Sequence, residues 1–127
     1  MKEILAVIRM NMINKTKEEL VKQGFSSLTC KRVLGRGKKK VDYSIIENLI
    51  FESEIPSPKI AETISEIHRL IPKRMLSVVA KDEDVQKVVD TIISINSSGK
   101  PGDGKIFVVP ITEVIRIRTK ESGEIAI

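Results

Sequence analysis

Apolar residues follow two rhythms along this chain. Lys2 to Met10 carries Ile4, Leu5, Ala6, Val7 and Ile8 in an unbroken run, which predicts a central strand covered on both faces. Asn14 then offers an N-cap for a helix to about Gln23, with Leu20 and Val21 turned inward and Gly24 as the C′ stop. Ser27 to Leu34, rich in Thr, Val, Leu and Cys, predicts a second strand ending at Gly35-Arg36-Gly37. Lys73 to Lys81 predicts a third strand. Asp82 is placed to cap a second helix, on which Val85, Val88, Val89, Ile92 and Ile93 form an i, i+3, i+4, i+7, i+8 stripe. Ile106 to Val109 and, past Pro110, Thr112 to Arg118 predict two further strands.

Two βαβ-type halves in that order predict a ferredoxin-like α+β sandwich, with helices on one face of an antiparallel sheet. Between the halves the pattern changes. From Gly37 to Ile71 a Lys38-Lys39-Lys40 run and Pro56 and Pro58 precede Ile60, Ile64, Ile67 and Ile71 at helical spacing, which predicts a helix from about Lys59 to Leu70. A segment this long inside a small domain is usually functional or disordered. The expectation is an excursion that is mobile when free and ordered by a ligand or partner.

Composition narrows the picture. At 127 residues and 41% apolar content the chain is one domain's worth, and with aromatics at 3% its core must be aliphatic. A net charge of +5 suits an anionic ligand. Nucleic acid is not expected, since neither aromatic stacking residues nor a recognition helix is evident. Cys30 alone permits neither an internal disulfide nor a cysteine metal cluster. With no leader-like or membrane-spanning run, a soluble cytoplasmic protein without membrane insertion is expected. No catalytic or metal residues are assigned: His68 is the sole histidine, and no nucleophile, base and orienter come together in a motif.

The stretch from Ser97 to Val109, SSGKPGDGKIFVV, carries the best candidate chemistry. Glycines at 99, 102 and 104 allow positive φ and a close approach of backbone N–H groups to an anion, while Lys100 and Lys105 add positive charge. Gly99, Gly104 and Lys105 fit a Walker A spacing. However, Ile106 stands where that motif needs Ser or Thr, and the loop runs into a strand instead of a helix. A plain glycine-rich turn is the alternative reading of these residues taken alone.

Extended to the end, SGKPGDGKIFVVPITEVIRIRTKESGEIAI is similar to the C-terminal signature of the PII family of nitrogen-regulatory signal proteins. KEILAVIR, VLGRGKKK at Val33 to Lys40, and the Pro72-Lys73 step add to the resemblance. It implies a PII-type trimer, homomeric or mixed with a sibling chain, whose sheets pack around a threefold axis. It also implies ATP or ADP bound in clefts between subunits, with 2-oxoglutarate beside ATP through magnesium. Gly102, Asp103, Gly104 and Lys105 match the loop that holds the phosphates, and Arg116 and Arg118 match arginines reaching them from the neighbouring subunit. Thr29 and Ile8 lie near adenine-lining positions. Gly35 and Gly37 match the base of the mobile T-loop and, with Lys38, are counted among the nucleotide-binding residues, and Lys73 matches the lysine that pairs with an effector carboxylate. Lys39 replaces a glutamine that helps hold magnesium; a protonated lysine has no acceptor and does not ligate a cation, so either Lys39, counted with Lys73 as effector-binding, contacts the effector anion directly, or the effector geometry differs. Tyr43 lacks the surroundings of the tyrosine modified in some relatives, and no modification is carried over.

The excursion, about 37–72, looks longer than an ordinary T-loop. This resembles the nitrogen-fixation, NifI-type branch, whose members work as two related polypeptides and inhibit nitrogenase. The expectation is one PII-like domain over 1–127, a sensor and not an enzyme, with nitrogenase as target. The alternative is an ordinary PII protein acting through its T-loop on an ammonium transporter or glutamine synthetase.

Overall fold

The computed structural model describes residues 1–37 and 70–127. Lys38, Lys39, Tyr43, His68 and the helix expected from about Lys59 lie outside the described residues. Met1–Val33 with Pro72–Ile127 forms one compact unit and Leu34–Ile71 a second. The described elements are β1 (Lys2–Arg9), α1 (Ile13–Lys22), β2 (Thr29–Gly35), β3 (Ile71–Ala80), α2 (Val85–Asn96) and β4 (Gly104–Pro110). The strands form one sheet in the order β2-β3-β1-β4.

β1 is central, as its apolar run predicts, and pairs antiparallel with both β3 and β4. Its period-2 alternation sends Ile4, Ala6 and Ile8 to the face covered by the helices, where Leu76, Val78 and Ala80 of β3 join them in the core. Leu20 from α1 and Val88 and Ile92 from α2 complete that core. Each fully buried aliphatic side chain there contributes about 1.5–3 kcal/mol of transfer free energy. The opposite face is covered less. Phe107 and Val109, in register with Leu5 and Glu3, are exposed, so the sheet leaves apolar surface open.

The helices follow the predicted stripes with corrections. Helix α1 stops as Gly24 predicts: with φ +96° at Gly24, the Phe25 N–H donates to the Leu20 carbonyl (2.8 Å) and the Gly24 N–H to that of Val21 (3.0 Å), a Schellman motif. Its start differs. A 3₁₀ turn, Met10–Met12, leads in, so Asn14 lies inside the first turn and is not the cap. Val21 is 52% exposed, and Thr16 takes the inward place instead. Thr16 is tolerated there because its hydroxyl donates to the Met12 carbonyl (2.7 Å) and accepts from Asn96 Nδ2 (3.0 Å), joining α1 to α2. Likewise Asp82 caps nothing. It opens a second 3₁₀ turn, Asp82–Asp84, and its carboxylate accepts from the Met1 ammonium at 3.0 Å. Ile93 is exposed, which narrows the α2 stripe to Val88 and Ile92 with Val85 and Val89 at its margins.

The strand expected over Thr112 to Arg118 does not form. Ile115 makes a single antiparallel bridge to Ser122, and the chain reverses between them. The Arg116 N–H donates to the Glu121 carbonyl (2.9 Å), the Lys120 N–H to the Arg116 carbonyl (2.8 Å), and Lys120 takes φ 61°. The IRIR alternation has no strand ladder in its own chain. Local return bonds therefore decide its path.

Candidate functional site: a glycine loop between two cations

The loop from Ser97 to Lys105 joins α2 to β4, and its two closest-packed glycines have separate reasons for being glycine. Gly104 has φ +121°, and a Cβ there would lie 2.0 Å from the Val7 carbonyl oxygen, so no side chain fits where β4 meets β1. Gly102 has φ +97°, and its Cβ would meet Arg9 Nη2 at 3.3 Å and Lys73 Nζ at 3.8 Å. That strand β4 begins at Gly104, without a helix, agrees with the rejection of a P-loop.

Two cations come to the loop from the sheet. Arg9 and Lys73 are register partners on β1 and β3. Lys73 Nζ donates to the Gly102 carbonyl (2.8 Å), and Arg9 Nη2 to the Pro101 carbonyl (3.0 Å). Arg9 Nη1 also pairs with Asp103, whose carboxylate accepts from the Ser98 hydroxyl and from the Ser98 N–H (2.7 Å). These bonds from Ser98, and then the Arg9 guanidinium, hold the Asp103 carboxyl well below its ordinary value of 3.8. Asp103 thus ties the loop together as a carboxylate and is fully ionised at neutral pH. Lys105 follows on β4, exposed.

Arg9 was not singled out from sequence. A basic residue closing an apolar central strand was the available signal, but its role depends on the β1–β3 register that sets it beside Lys73. Against the loop lies a cleft of about 380 Å³ between α2 and β4, with Ile8, Ile92, Asn96, Asp103, Gly104 and Lys105 in its walls.

The remaining predicted residues lie elsewhere. Thr29 lines a separate cavity of about 140 Å³ with Ser27, Ser77, Val79, Val114 and Ile127. Arg116, two residues beyond Val114, donates to Glu121 Oε2 (2.7 Å) and to the Ile125 carbonyl (2.9 Å), while Arg118 is exposed. One chain therefore holds two groups of candidate residues: Gly102 to Lys105 with Ile8 and Lys73, and Thr29 beside the segment that carries Arg116 and Arg118. Gly35, closing β2, and Gly37 belong to the second compact unit. Lys38 and Lys39 lie outside the described residues. Among the described residues, no group of three or more His, Cys, Asp or Glu is placed to hold a metal, and no helix is long and apolar enough to cross a membrane.

The antiparallel sheet thus carries, at the start of its last described strand, a glycine loop braced by Arg9 and Lys73. The family described as Nitrogen regulatory protein P-II matches residues 1–121, and the chain belongs to that family. It is 50% identical over 127 residues to Nitrogen fixation nifHD region GlnB-like protein 2 of Methanobacterium ivanovii, covering 100% of this chain and 99% of that protein. It is 35% identical to Nitrogen regulatory protein P-II 2 of Methanothermobacter thermautotrophicus, covering 100% of this chain and 97% of that one. Among solved structures it resembles Arabidopsis thaliana PII bound to citrate, with a TM-score of 0.71 and 28% identity over 98% of this chain and 87% of that chain. The PII fold and the nitrogen-fixation branch expected from the sequence are both borne out.

Proposed function

We propose that this nitrogen regulator binds ATP or ADP with its phosphates against Gly102 to Lys105, and that nucleotide and 2-oxoglutarate together set whether it inhibits nitrogenase. The observation that carries the reading is the convergence of Arg9 and Lys73 on the glycine loop that opens β4. A polyphosphate suits such a site, because several fixed cations and backbone dipoles offset its charge at little reorganisation cost. Arg116 and Arg118 sit in the other group of residues, with Thr29. On this reading a neighbouring subunit of a trimer, homomeric or mixed with a sibling chain, brings them to the phosphates.

Lys73 supports the effector assignment: its ammonium is already at the loop and offers further N–H groups to a carboxylate. Magnesium, on this reading, arrives on oxygens of the nucleotide and the oxo-acid. Lys39 would then meet the effector anion directly. In sequence terms the chain remains one PII-like domain, with the excursion about 37–72 as its docking element.

Replacing Asp42 to Leu70 with a short Gly-Ser linker tests the functional part in a reconstituted nitrogenase assay. The full-length protein should inhibit, with 2-oxoglutarate and ATP relieving inhibition, and the shortened protein should bind ATP without inhibiting. Inhibition that survives the replacement would remove the excursion as the docking element. No inhibition by the full-length protein would favour an ordinary PII role on an ammonium transporter or glutamine synthetase.

A further inference from the structure

Two turns in this molecule close in the left-handed backbone region with different residues. Helix α1 ends where Gly24, at φ +96°, lets the chain leave its last turn. The C-terminal hairpin, in which Ile115 bridges to Ser122, closes likewise: the Lys120 N–H donates to the Arg116 carbonyl, and Lys120 takes φ 61°. Among the described residues it is the single non-glycine with positive φ. That conformation presses a Cβ toward the following carbonyl, so glycine is the residue of least strain there.

No contact of the Lys120 side chain offsets that strain. The side chain is exposed and takes part in no hydrogen bond or ion pair among the described residues. Arg116 differs. Its guanidinium is committed to Glu121 Oε2 (2.7 Å) and to the Ile125 carbonyl (2.9 Å), and Thr119 Oγ1 donates to Glu121 as well. The turn's own carboxylate is therefore engaged, while Arg118 and Lys120 stand outside this network as exposed cations. Strained residues of this kind cluster at ligand sites, where the strain belongs to the function. An ammonium on a flexible stem beside a guanidinium offers two positive charges to one anion.

We infer that Lys120 is a specificity-determining residue of the phosphate site: with Arg118 it meets the terminal phosphate of the nucleotide and so favours ATP over ADP. The inference rests on the proposed arrangement in which Arg116 and Arg118 reach a neighbour's glycine loop, and it adds to that reading one residue and one preference. Charge decides the preference. A triphosphate carries more negative charge than a diphosphate, so a cation beyond those that hold the inner phosphates strengthens ATP binding more than ADP binding. Arg116, paired with Glu121, is already partly neutralised and discriminates less. Glycine at position 120 would relax the turn but remove the charge, so hairpin stability and nucleotide preference oppose each other here.

Calorimetric titration of the unsubstituted chain, Lys120→Gly and Lys120→Arg with ATP and with ADP tests this. Lys120→Gly should lower the ratio of ATP to ADP affinity about tenfold, the loss of one hydrogen bond to a charged group. Lys120→Arg keeps the charge and should keep the ratio. Hydrogen exchange reads the strain separately: the Arg116 and Gly123 amides, which donate to the Glu121 and Val114 carbonyls, should exchange more slowly in Lys120→Gly. An unchanged ratio in Lys120→Gly, or the same fall in Lys120→Arg, overturns the assignment and leaves the phosphate site standing. Amides that exchange no more slowly than in the unsubstituted chain overturn the strain on which it is built. If the unsubstituted chain binds neither nucleotide, the phosphate site itself falls, and the preference with it.

Discussion

The glycine loop and the C-terminal hairpin are both short, basic and built on turns, but they are anchored over different distances. The loop is held by side chains far away in sequence, Arg9 on β1 and Lys73 on β3, and by a glycine pressed against the Val7 carbonyl. The hairpin is held by its own neighbours, with each of its bonds from Arg116 and Thr119 closing within nine positions. A loop braced by the sheet shares the sheet's stability and keeps its geometry for a ligand. A self-contained hairpin adds little to the core, so its outward residues are available to another molecule.

Gly104→Ala should show the largest effect of this difference. The new Cβ would overlap the Val7 carbonyl in a backbone conformation unfavourable to alanine, so β4 must move from β1. Urea unfolding should record a loss of about 3 kcal/mol or more. A change under about 1 kcal/mol would mean that the loop is not locked to the sheet.

Asp103→Asn should have a smaller, pH-dependent effect. The folded chain depresses the Asp103 pKa below its ordinary 3.8, so its contribution is present above that value and is lost as pH falls below it. Thermal unfolding from pH 6 down to pH 2 should therefore show the variant less stable at the upper end and converging on the unsubstituted chain at the lower end. Parallel curves across that range would contradict the assigned anchoring role.

Glu121→Gln should do least to global stability. The Arg116–Glu121 pair is over a third exposed on both sides, and such surface pairs contribute about 0–1 kcal/mol. Its unfolding midpoint should stay near that of the unsubstituted chain; a shift as large as that of Gly104→Ala would place the hairpin in the core's cooperative unit.

The same contrast explains what could be read in advance. Gly24, Gly102 and Gly104 announced their backbone conformations, because positive φ is a local property that composition reports. The apolar run of β1 gave its central place. Arg9, Thr16 and Asn96 were passed over, since each acquires its role from a partner 80 or more positions away or from strand register, which a single-chain pattern does not contain. The IRIR segment misled for the opposite reason. Alternation reports suitability for a strand, but a strand also needs an edge to pair with, and Glu121 supplied a nearer alternative.

The central claim is that the braced glycine loop holds nucleotide phosphates. Isothermal titration of ATP with magnesium into the unsubstituted chain and into Lys105→Ala tests it most directly. The account predicts saturable binding by the former, with the variant weaker by roughly 2–5 kcal/mol because a cation is removed from a desolvated phosphate site. No saturable binding by the unsubstituted chain, or equal affinity in the two, would contradict it.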